Sequence, residues 1–227
     1  MLVEPQADAA RLALDRAVVE AVRARLAAGA RPTPDADDIA LRETLVGLTP
    51  AESSAVRSVF GRIDAASASP LVVWGSAAQT LAADRFGLTA RVAAELEPAL
   101  GAVRNGARAL MDLTPSSAWW GRLLAEPALR IVAALPDDRH GVPRALMVQR
   151  AAPGPTGDDR TFWVTDSPLS DARIVADLGG AGLAADPLIA AGGLKLFMLA
   201  GYVQAEDGRL TSAPGTLSGV IGAAPQF

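Results

Sequence analysis

Apolar positions recur at helical spacing through the first third of the chain and in short, strand-like runs afterwards. From about Ala7 to Ser67 the pattern predicts three helices. In the first, from about Asp8 to Ala28, Leu12, Val19, Val22 and Leu26 form one stripe, and Gly29 with Pro32 and Pro34 ends it. Leu41, Leu45 and Leu48 recur at i, i+4 and i+7 in the second, with Asp35 or Asp37 as its cap. The third has the best-marked start. Thr49 suits the N-cap, Pro50 the first helical position and Glu52 the reciprocal partner of a capping box. Val56, Phe60 and Ile63 mark its buried side, and Ser69-Pro70 ends it.

Beyond Pro70 the period changes. LVVW (71–74), TARVAAEL (89–96), ARALMDL (107–113) and LRIVAAL (129–135) read as strands. Helices are expected between them, opening at Gly75-Ser76, at Glu97-Pro98 and at Thr114-Pro115 before SSAWWGRLL. Strand and helix alternating at this interval imply a mostly parallel sheet. From Asp137 onward the chain is richer in strands: PRALMVQR, TFWVTD, PLIAA, LKLFMLAGYV and TLSGVIGAA. A helix is expected over 168–178, and Glu206-Asp207-Gly208 suggests a hairpin-type turn. The expected fold class is therefore α+β, multidomain: a helical domain over 1–69, a parallel α/β unit over 70–136 and a strand-rich α+β region over 137–227.

Composition narrows the chemistry. With 227 residues, 50% hydrophobic and 20% charged, the chain is globular. No apolar run reaches the roughly 18 residues that a membrane helix needs, and the first residues lack the basic-then-apolar order of a signal peptide. A net charge of -4 without a basic block argues against nucleic acid. Zero cysteines exclude thiol nucleophiles and disulfides and fit a cytoplasmic location. One histidine, His140, in the loop LPDDRHGVP, makes neither a zinc site nor a triad. Lys195 is the one lysine, so any mechanism that needs a lysine must use it; no cofactor and no metal is expected.

Three local patterns in the helical arm bear on function. LDRAVVEAVRARLA places Asp15 ten residues before Arg25. Arg42-Glu43 precedes Leu45 and Leu48. VFGRIDAAS sets Phe60 seven residues before Ser67. In order and spacing these resemble the all-helical chorismate mutases, over roughly the first 68 residues. That resemblance implies that Arg25 and Arg42 grip carboxylates, that Glu43 holds the substrate hydroxyl and that Ser67 lies near the carboxylate. Chorismate to prephenate is a unimolecular rearrangement, so such a site clamps a dicarboxylate and stabilises charge on the ether oxygen. The chain departs from the family at three points. The lysine between the two arginines has no counterpart except Arg31, and the glutamine after the serine falls at Leu71. The early arginine aligns with Asp8, one turn before Arg11. Family members dimerise through long first helices; here Gly29 stops that helix early, which leaves a homodimer open.

The α/β order resembles one lobe of the periplasmic-binding-protein type used by prephenate dehydratases, but the Thr-Arg-Phe signature of the latter is absent; DDRTFW (158–163) reverses it. Two strand-to-helix junctions carry hydroxyls and free amides suited to a carboxylate: Ser76 at one, Ser116 and Ser117 at the other. Trp119 and Trp120 read as core packing. The β-α-β-β order within 137–227 resembles the ACT regulatory domains, although a second helix has no evident place. Two readings follow. One is a chorismate mutase of aromatic amino-acid biosynthesis. The other is a catalytically degenerate relative that senses a small carboxylate of the same pathway.

Overall fold

The computed structural model describes residues 8–27, 34–67, 69–114 and 116–227. Six α-helices and nine strands lie in these segments. Helices α1 (Ala9–Ala27), α2 (Pro34–Leu45) and α3 (Pro50–Ser67) form the expected arm. The capping box at α3 is made: Thr49 N donates to Glu52 Oε2 at 2.8 Å, and Glu52 N donates to Thr49 Oγ1 at 3.3 Å. Asp35 and Asp37 lie inside the first turn of α2 instead of capping it, where carboxylates complement the helix dipole. Ala21, Leu41, Val56 and Phe60 give the arm a small core of its own, with Phe227 packed against it.

The remaining strands build a single mixed sheet. They are β1 (Leu71–Trp74), β2 (Arg91–Val92), β3 (Arg108–Asp112), β4 (Arg130–Leu135), β5 (Ala145–Gln149), β6 (Asp159–Thr165), β7 (Ala185–Ala191), β8 (Leu194–Ala200) and β9 (Ser218–Pro225). Their order is β2-β1-β3-β5-β4-β9-β6-β8-β7. Strand β1 pairs in parallel with β2 and β3, as expected. Strand β5 runs antiparallel between β3 and β4 and breaks the predicted parallel order there. The anticipated boundary at residue 136 falls between β4 and β5, which are hydrogen-bonded neighbours, so one sheet runs across it. Its seam with the C-terminal strands is the parallel register Ile131↔Gly222. Gly222, at φ 146, brings its backbone so close to Ile131 that no side chain fits between them.

Helix α4 (Ser76–Phe86) joins β1 to β2, α5 (Leu96–Arg104) joins β2 to β3, and α6 (Asp171–Gly180) joins β6 to β7. Strands β6 and β7 are separated by β8, antiparallel to both, which makes a split βαβ. Three expectations change. The strand over 89–96 shrinks to the exposed edge pair Arg91–Val92, because Glu95 already serves as the N-cap of α5. SSAWWGRLL forms only a 3-10 helix from Trp119 to Leu124. Trp119 Nε1 donates to the Asp112 carbonyl at 2.6 Å, and both indoles are buried edge to face. Residues 206–208 do not close a hairpin: both edges of β8 are already taken, so the chain crosses through residues 201–217 and β9 pairs with β6. Asp207 instead caps a single 3-10 turn over Gly208–Leu210. No described helix is long and apolar enough to cross a membrane.

Candidate functional site

The arm does not pack flush on the sheet. A cavity of about 240 Å³ lies between α1, α2 and α3 on one side and β4, β5 and α4 on the other. Phe60, Phe86, Leu135, Met147 and Phe227 supply apolar wall. Set among them are three arginines, Arg25, Arg85 and Arg108, and four aspartates, Asp37, Asp38, Asp64 and Asp137.

Most of these charges pair across element boundaries. Arg25, buried at the end of α1, donates to Asp37 Oδ2 of α2 at 3.4 Å. Asp137, from the loop after β4, bridges Arg57 of α3 at 2.5 Å and Arg85 of α4 at 3.1 Å. Arg85 also donates to the Arg57 carbonyl. Arg108 opens β3 and binds Asp64 of α3 and the Ser69 carbonyl. The contacts are tight because α3 presents Gly61 to the end of α4, where a Cβ would run into the Arg85 carbonyl. This network clamps the arm to the sheet and forms the charged part of the cavity wall.

Two groups stand apart from that pairing. Arg108 is 5% exposed, and its Nη2 has no hydrogen-bond partner. The half-buried Asp38 side chain, on α2, makes no hydrogen bond or ion pair among the described residues. Burial pushes its carboxyl well above the usual carboxylate range; Arg85 opposes that shift, and the charges of Asp35, Asp37 and Asp64 add to it.

The residues singled out by sequence are dispersed. Arg25 lines the cavity. Arg42 lies outside it and ties the arm to the C-terminal strands: it donates to the Gln226 carbonyl at 3.1 Å, Thr156 Oγ1 at 3.1 Å and the Asp158 carbonyl at 2.9 Å, with its guanidinium 5.4 Å from the Phe227 ring centre. Glu43 is exposed and outside the cavity wall. Arg11 is exposed on α1 and pairs with Asp15 at 3.3 Å, one turn on. Arg31 lies outside the described residues. Ser67 ends α3, and its side chain is likewise outside what is described.

The two strand-to-helix junctions are occupied from within. At the start of α4, Asp112 of β3 accepts hydrogen bonds from Ala77 N at 3.1 Å and from Ala78 N. The protein's own carboxylate thus sits where a ligand carboxylate was expected, and Ser76 is exposed beside it. Gly75, at φ 94, permits this, since a side chain there would overlap Asp112. Ser116 exchanges a 2.9 Å hydrogen bond with Thr114, and both Ser116 and Ser117 precede the first residue of the 3-10 helix.

Sequence reasoning passed over Arg57, Arg85, Arg108, Asp38, Asp64 and Asp137. One signal was available: Arg108 is a charged residue opening the otherwise apolar strand ARALMDL, a position that demands an internal partner.

No protein-family model matches this chain, and no curated protein does. Among solved structures it is similar to GqqA, a novel type of quorum-quenching acylase, with 16% identity and a TM-score of 0.47, covering 69% of this chain and 95% of that one. It is also similar to a prephenate dehydratase from Streptococcus mutans, with 13% identity and a TM-score of 0.39, covering 70% and 100%. A third is a prephenate dehydratase from Arthrobacter aurescens in complex with L-Phe, with 13% identity and a TM-score of 0.40, covering 69% and 90%.

Proposed function

We propose that this chain is a chorismate-mutase-related protein of aromatic amino-acid biosynthesis that has given up the rearrangement and binds a small carboxylate of that pathway. The observation that carries this reading is the separation of the residues a mutase would bring together. Arg25 lines the cavity, Arg42 spends its guanidinium on three protein oxygens, and Glu43 points its charge to solvent. A pericyclic catalyst needs its donors held around one substrate, because the acceleration comes from preorganised contacts to the transition state. Two of the family's donors are also missing from the sequence, where Leu71 replaces the glutamine and no lysine precedes Arg42. Losing one such donor typically costs about 2.7–4 kcal/mol of transition-state stabilisation.

Arginines in a partly apolar cavity are what a small-carboxylate site requires. The test is calorimetric titration of the purified protein with prephenate, phenylpyruvate, phenylalanine and tyrosine. Saturable binding of at least one of them is expected. Silence from all four overturns the reading.

The opposite reading, an active mutase, draws on the burial of Arg25 beside the cavity. It requires chorismate turnover that disappears in Arg25→Ala.

A further inference from the structure

The ion pairs around the cavity do not balance. Arg25 pairs with Asp37 and Arg108 with Asp64, but Arg57 and Arg85 share the single carboxylate of Asp137. Four guanidinium groups thus meet three paired carboxylates, which leaves one positive charge over at the Asp137 bridge. Arg85 is the member of that bridge that lines the cavity. Its Nε and Nη1 donate to Asp137 Oδ2 and the Arg57 carbonyl, while Nη2 donates to no described residue. The guanidinium lies 5.6 Å from the Phe86 ring centre, so this donor adjoins the apolar wall of Phe60, Phe86, Met147 and Phe227.

The remaining carboxyl of the wall is Asp38, and Arg85 is the cation whose charge acts on it. Asp35 and Asp37 of its own helix and Asp64 of α3 oppose its ionisation, and burial opposes it more strongly. Asp38 is therefore a poor internal counterion for the spare charge at Arg85. An anion from outside can take that place.

We propose that the cavity between the arm and the sheet takes a monocarboxylate with an apolar tail, whose charge replaces that of Asp38 beside Arg85, so that binding takes up a proton at Asp38. The proposal rests on the carboxylate-binding reading and narrows it to ligands of a single negative charge held in a pH-dependent way. A monoanion beside a protonated Asp38 brings the paired set to neutrality; a dianion overshoots it, and a zwitterion leaves the spare charge in place. At about 240 Å³ the space is below the roughly 300–1,000 Å³ typical of drug-sized pockets, which limits the occupant to one small metabolite. The ligand carboxylate draws on Arg85 and adds a negative charge near Asp38, so the Asp38 carboxyl lies higher in the complex than in the empty protein. Affinity is therefore greatest below the empty-cavity value, falls as pH rises from there, and levels off above the value in the complex. The arginines stay charged throughout.

The test is titration calorimetry of the intact protein with phenylpyruvate and phenylacetate as monoanions, prephenate as the dianion and phenylalanine as the zwitterion. Each is run across the pH range and in buffers of different ionisation enthalpy, which reports proton uptake directly. A monoanion should bind, with affinity falling by up to about tenfold per pH unit as pH rises and with up to about one proton taken up per ligand. Prephenate and phenylalanine should be weaker by about tenfold or more. Asp38→Asn, which fixes a neutral side chain, should bind the monoanion without pH dependence or proton uptake, its circular dichroism spectrum matching the parent. Binding by the parent without proton uptake, prephenate or phenylalanine binding more tightly than the monoanions, or an Asp38→Asn variant that keeps the parent's pH slope or no longer binds overturns this proposal and leaves the carboxylate-binding reading standing. Silence from every acid overturns both.

Discussion

Replacing Arg42 by alanine separates an anchoring role from a catalytic one. Its guanidinium makes three hydrogen bonds to protein oxygens on the far side of the arm interface, lies 3.8 Å from Asp158 Oδ2 and faces the Phe227 ring. Hydrogen bonds involving a charged group contribute about 1.5–3 kcal/mol each when measured singly. Contacts sharing one side chain do not add, and Arg42 and Asp158 are about a quarter exposed, so water recovers part of the loss. We therefore expect Arg42→Ala to destabilise the protein by about 2–4 kcal/mol, a fall in melting temperature of roughly 4–16 °C for a chain of this size. Arg42→Lys should recover less than half, because one ammonium cannot reach all three acceptors in that geometry. Urea unfolding followed by circular dichroism measures the change, and limited trypsin digestion should show the arm cut before the sheet. A loss below about 0.5 kcal/mol, with the arm still protected, would refute the anchoring role.

Other consequences follow from the same geometry. Asp137→Ala leaves Arg57 and Arg85 without their shared carboxylate at a buried interface, and denaturant titration should register a loss of about 3–5 kcal/mol. Gly75→Ala forces a side chain into a positive-φ position and against the carboxylate that caps α4; thermal melts should show destabilisation of about 1–3 kcal/mol. Asp38 gives a pH signature. Burial raises its carboxyl in the folded state, so the native protein binds that proton more tightly than the unfolded chain, and its contribution falls as pH rises above about 4 through the folded-state value. Asp38→Asn should therefore be more stable than the parent near pH 7 without ligand. The advantage should vanish in acid, as read by melts across the pH range.

The sequence announced local events better than long-range ones. Thr49, Pro50 and Glu52 declare the start of α3 within four residues, and the capping box forms as read. The β1-α4 junction is equally visible in LVVWGS. What fills that junction is not: Asp112 is more than thirty residues away, and only the pairing of β1 with β3 delivers its carboxylate to the amides of α4. The same limit applies to the cavity. Arg25 stands out in the sequence by its place ten residues after Asp15 in the mutase-like pattern. Asp38, Arg85, Arg108 and Asp137 sit on four separate segments and become one wall only when the arm docks on the sheet. Arg42-Glu43 shows the converse hazard. The pair reads as a functional motif on an isolated helix, yet Arg42 is drawn away by Thr156, Asp158 and Gln226. The predicted parallel order failed at β5 for a similar reason, since nothing local tells a strand which neighbour it will enter between.

The most direct test is the absorbance of chorismate after mixing with purified protein. Arg25, Arg42 and Glu43 do not surround a common space, so the account predicts no loss beyond the uncatalysed rate. Turnover abolished by Arg25→Ala and by Arg42→Lys, in variants whose circular dichroism spectra match the parent, would contradict it.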